Sequence, residues 1–97
     1  MTIREKIDEI AFELDITVLL ADGFDDAIVG IGAKFTQTPS VVYDKSKCVE
    51  ILMERDGMDY GKALDWMEFN VYGAWVGDNT PIFMDVLQIP QFNDSWE

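Results

Sequence analysis

The stretch DGFDD, residues 22 to 26, places the carboxylates of Asp22, Asp25 and Asp26 within five residues, the density of hard oxygen donors that Mg²⁺ or Ca²⁺ requires. It lacks the spacing of a twelve-residue calcium loop and has no distal bidentate Glu, so turn and capping duties are the preferred reading of these aspartates. With Asp78 they would form the donor set of a divalent-metal hydrolase, the least favoured of three functional readings. The chain has no histidine, which removes the commonest general base, the imidazole-dependent triads and most zinc sites. Its single cysteine, Cys48, falls in the first turn of a predicted helix but on the inward side, where a thiol packs rather than attacks. VGIG, residues 29 to 32, lacks the third glycine and the Lys-Ser/Thr of a phosphate loop. A bulge, or a strand surface approached by another backbone, accounts for it better. No catalytic, cofactor-binding or metal-binding residue is expected.

Composition sets the frame for these groups. The 97 residues carry nineteen acidic and seven basic side chains, a net charge of −12, with 48% hydrophobic residues. A single domain of this size buries roughly 65% of its unfolded surface, enough for one ordinary core. The charge repels phosphate, so direct nucleic-acid binding is not expected; it favours solubility or a partner with a basic patch. No apolar run is long enough for a membrane span, and MTIREKIDEI does not read as a signal peptide. With one cysteine and no disulfide, the expected location is the cytoplasm.

The elements follow from caps and periodicity. Thr2 and Glu5 form a capping box before an amphipathic helix over residues 3 to 14, with Ile3, Ile7, Ile10, Ala11 and Leu14 on one side. Residues 16 to 21 read either as a short strand or as a continuation of that helix. Ala27 to Phe35 forms a strand whose core side is Ala27, Val29, Ile31, Ala33 and Phe35, paired as a hairpin with a strand in VVYD. Asp44 caps a helix over about 45 to 55 that Gly57 ends. Asp59 caps a helix running to about Val76, and a last strand spans Ile82 to Val86.

The expected fold is α+β: a small antiparallel sheet of about three strands with helices on one face, in the order α-β-β-α-α-β. One domain covers residues 1–97, its core about 19 to 87 and its tail 88 to 97. On a wheel of about 100° per residue, Asn70 sits at the centre of the third helix's apolar arc, within about 60° of Ala63, Met67, Ala74 and Gly77. It is therefore expected to be a buried amide bonded to an adjacent loop or strand. Gly73 and Gly77 are expected to allow close packing there, and Trp75, at the edge of the arc, to be a partner contact. Asp22, Asp25, Asp26 and Asp78 are the other expected partner contacts.

At DGFDDAIVGIG, VVYDKSKCVEILMERDGM and EFNVYGAWVGDNTPIFM, within residues 19 to 85, the chain resembles a family of small proteins encoded by bacteriophages and prophages. In that pattern an aspartate-capped helix ends in DGM, a second capped helix ends in an EFN…GA stretch, and TP leads into a short apolar strand. Gly61-Lys62 stands where the family has an acidic pair. The resemblance implies a phage accessory protein in the host cytoplasm and transfers no catalytic residues. Taken with the charge, it leads to the expectation of a non-enzymatic protein that binds a host or defence-system protein through a basic patch on that partner. The alternative is an assembly protein that forms a homo-oligomer through the VGIG strand or the tryptophan-bearing segment.

Overall fold

The computed structural model describes residues 1–35, 37–72, 77 and 79–87. Helix α1, Ile3–Leu14, begins at the expected capping box: the Thr2 hydroxyl accepts from the Glu5 N–H, and the Thr2 N–H donates to the Glu5 carboxylate at 2.9 Å. It stops at Asp15, whose φ of 56° and ψ of 48° put a non-glycine residue in the left-handed region. Residues 16 to 20 then run without helix or strand, so neither reading of that stretch holds. A 3-10 turn, Asp25–Ala27, leads into strand β1, Ile28–Gly32, followed by β2, Ser40–Asp44. Helix α2, Lys45–Asp56, is capped by Asp44 and closed by Gly57 at φ 69°. Helix α3, Tyr60–Met67, is capped by Asp59 and passes into a π-helical turn, Glu68–Tyr72, before strand β3, Ile82–Met84.

The α+β class holds, with the three helices packed on a three-stranded sheet of order β1-β2-β3. β1 and β2 pair antiparallel as the expected hairpin. β3 instead joins β2 in parallel, with Tyr43 beside Phe83, so the sheet is mixed. A parallel pair needs a crossover of a dozen or more residues, and α2 and α3 provide one here.

The face of β1 also differs from simple alternation. Ile28 pairs with Tyr43 and Ile31 with Val41, with a register irregularity between Ile28 and Gly30. The extra residue of a bulge lets two residues three apart share one face. Ile28 and Ile31 therefore meet the core, while Val29 is 54% and Phe35 95% exposed. The expected core face of Ala27, Val29, Ile31, Ala33 and Phe35 is corrected at Val29, Ala33 and Phe35, because the strand ends at Gly32 and leaves Ala33 and Phe35 exposed beyond it; the bulge reading of VGIG holds. Tyr43, Leu52, Met67, Val41 and Cys48 are fully buried at the centre. Tyr43 and Phe83 stack at 5.2 Å between ring centroids, and Tyr72 packs on the same Phe83 ring at 5.2 Å.

Candidate functional site

The DGFDD turn is held from two helices by the chain's two arginines. Arg4 of α1 donates from Nε to Asp25 Oδ2 at 2.6 Å and from Nη2 to Asp22 Oδ1 at 2.9 Å. Arg55 of α2 donates to the Gly23 carbonyl at 3.1 Å and lies 5.6 Å from the centroid of the Phe24 ring. Gly23 has φ +90°, a left-handed conformation that favours glycine, and the Arg55 guanidinium lies close over it. The turn thus drives Phe24 into the core, 3% exposed, next to Trp66.

This arrangement sorts the expected contact residues. Asp22 and Asp25 are engaged by Arg4, whereas Asp26 is exposed and makes no ion pair among the described residues. Trp75, Asp78 and Gly73 lie outside the described residues. Among the described residues, no three Asp, Glu or Cys side chains converge as a metal-holding group. Gly77 is structural, but as a turn residue: its φ is +120°, and its carbonyl accepts from the Thr80 N–H at 3.1 Å and the Thr80 hydroxyl at 2.6 Å.

Asn70 is the clearest correction. It is exposed, and its Nδ2 donates to the carbonyl of Trp66 in its own helix at 3.0 Å. The α-helical wheel assumes an unbroken 3.6-residue turn, and the π turn Glu68–Tyr72 widens that turn and rotates Asn70 off the stripe of Ala63 and Met67. Asn70→Ala is accordingly expected to change stability by no more than about 0.5 kcal/mol in urea unfolding, the usual range for a surface position. A loss above about 2 kcal/mol would restore the buried-amide reading.

The same π turn carries Asn70 and Val71 to the side of an apolar cleft of about 410 Å³. Leu19, Leu20, Ala21, Asp22 and Phe24 line it from the segment around the clamped turn. Trp66 joins from α3, and Thr80, Pro81 and Phe83 from the last segment. Three distant pieces of chain meet there, so periodicity within any one of them does not reveal it. The available hints were VLLADGF, an apolar run without helical period, and the asparagine among aromatics that follows Trp66. Two tertiary bonds hold its walls: the Ala21 N–H donates to the Tyr43 hydroxyl at 2.7 Å, and the Asn79 amide donates to the Thr17 carbonyl.

The described lining of the cleft is mostly apolar and aromatic. Among its described lining residues Asp22 is the one ionisable group, and Arg4 holds it. Cys48 is fully buried elsewhere, and burial pushes its thiol up to about 11, with Asp44 adding to the shift. Burial likewise pushes the Tyr72 phenol up to about 12. Both groups are neutral at pH 7. A thiol whose folded pKa exceeds its ordinary value of 9.0 leaves the unfolded chain as the readier acid, so its contribution is intact below pH 9 and falls as pH rises from 9 towards 11. Stability measured by urea unfolding should decline across that window. Cys48→Ala should flatten the decline, and the native thiol should resist a disulfide reagent at pH 8 until the chain unfolds.

Comparison with protein-family models, curated proteins and solved structures finds no match for this chain.

Proposed function

We propose that the chain is a phage accessory protein that acts without catalysis, binding and modulating a host or defence-system protein that presents a basic patch. The observation that carries this reading is the surplus of unneutralised carboxylate. Only Arg4, Arg55 and Lys45 form ion pairs among the described residues. Asp8, Glu9, Glu13, Asp26, Glu54, Asp65 and Glu68 stand exposed with no cation. Such a field steers a basic partner and repels nucleic acid. The phage origin and the host-cytoplasm location rest on the motifs between residues 19 and 85. No described helix is long and apolar enough to cross a membrane.

The test is retention of host-lysate proteins on immobilised protein at roughly 20 and 150 mM salt, the higher of which shortens the screening length from about 20 Å to about 8 Å. A specific protein should be retained at the lower salt and largely released at the higher. Absence of any salt-sensitive partner would overturn the reading.

A second reading, a homo-oligomer, is favoured by one observation. Among the described residues the outer side of β1 has no partner strand, and Val29 and Phe35 are exposed beside it. Unpaired strand edges invite pairing, although short, bulged edges such as this one resist it. Light scattering across a concentration series decides: a strict monomer ends this reading.

A further inference from the structure

We propose that the groove between α1 and β1 is the contact of a homodimer, in which α1 of a second copy lies antiparallel against α1 of the first. The inference rests on the homo-oligomer reading and moves the contact from the bulged strand edge to the groove beside it.

The apolar stripe of α1 is wider than the monomer covers. Of Ile3, Ile7, Ile10, Ala11 and Leu14, only Ile7 and Ala11 are buried, while Ile3 is 42% and Leu14 56% exposed. Ile3, Ile10 and Leu14 line one side of a groove of about 460 Å³, and Ile28, Gly30 and Ile31 line it from β1. A Cβ added at Gly30 would meet nothing within 4 Å. No neighbour within the chain requires glycine there, and the space above it is open.

Charge selects the occupant. Among its described lining residues the groove has no carboxylate and one cation, Lys6, on a chain of net charge −12. It offers a basic partner no attraction and sets no like charge against an acidic copy. Glu13 stands one heptad beyond Lys6 on the same unbroken α-helix, and residues seven apart lie within about 20° of each other around the axis. Lys6 and Glu13 thus share one flank of the stripe, about 10 Å apart along the helix. Both are exposed and make no ion pair among the described residues. A two-fold axis through the middle of α1 sets Lys6 of each copy opposite Glu13 of the other, whereas a parallel arrangement sets like charges together. The patch is then complementary to itself, as an isologous dimer requires.

The experiment measures the dimer dissociation constant of the full chain by sedimentation equilibrium, for the native sequence and four variants. Gly30→Glu puts a carboxylate into the groove at a position with room for it, and is expected to weaken the dimer about tenfold or more with the far-ultraviolet spectrum unchanged. Lys6→Glu and Glu13→Lys each replace two opposite-charge pairs by two like-charge pairs and are expected to weaken it about fivefold or more. Both suit the dipole of α1, an acid near its start and a base near its end, so loss of the helix does not account for the effect. The double variant Lys6→Glu, Glu13→Lys restores opposite pairs and is expected to regain the native affinity to within about twofold.

Glu13→Lys separates the two possible electrostatic effects, because it removes net negative charge: general repulsion between copies calls for a tighter dimer, the antiparallel pairing for a weaker one. A tighter dimer for Glu13→Lys, or a double variant no better than the single ones, would overturn the proposal. A dimer indifferent to all four variants would overturn it too and leave the homo-oligomer reading standing through another surface. A monomer at every concentration would end both.

Discussion

Phe24→Ala is expected to destabilise the protein by about 3–5 kcal/mol, the cost of removing a buried aromatic and leaving a cavity. Phe24 belongs to the core, packs 6.3 Å from Trp66 and carries Arg55 against its ring, so the truncation empties the junction of α2, α3 and the turn together. In a domain of about 100 residues, each kcal/mol moves the melting midpoint by about 4–8 °C. The midpoint should therefore fall by more than about 10 °C. Asp22→Asn offers the contrast within the same five residues. Its ion pair is solvent-exposed, and such pairs are worth about 0–1 kcal/mol. The apolar member of DGFDD outweighs its charges, and the aspartates act as positioners. A change below about 1 kcal/mol for Phe24→Ala would contradict this account of the turn.

Tyr43→Phe is expected to cost about 0.5–1.5 kcal/mol, the net worth of a typical hydrogen bond, since the Ala21 donor it leaves is part-buried. The ring, fully buried and stacked on Phe83, stays in place. What is lost is the hydroxyl that accepts the Ala21 N–H at 2.7 Å. That bond ties the sheet to the segment that lines the cleft, in a stretch of chain with neither helix nor strand to satisfy its backbone. Urea unfolding should show the loss, and hydrogen exchange at Ala21 should accelerate more than exchange in α2. A uniform change at both would mean that the hydroxyl serves only global stability and does not shape the cleft.

The contrast between these residues also shows what local sequence carries. The capping box at Thr2 and Glu5, the caps at Asp44 and Asp59 and the left-handed stop at Gly57 were legible because each rests on chemistry within three or four residues. Asn70 was misplaced because a helical wheel contains no term for a π turn. Val29 was misplaced because a bulge breaks the two-residue period on which strand faces are assigned. The direction of β3 depends on where two intervening helices return the chain. Arg4 reaches Asp22 and Asp25 across 18 and 21 residues, so the aspartates could be read as turn residues but not as the clasp of α1. The cleft, assembled from three segments, was the least legible of all.

The most direct test of the central claim, that the protein grips a basic partner through its surplus of carboxylate, is hydrogen–deuterium exchange on the complex recovered from host lysate. New protection is predicted on segments that carry the carboxylates without an ion pair, around Asp8 to Glu13 of α1 and Asp65 to Glu68, with β1 unchanged. Protection confined to β1 would contradict it.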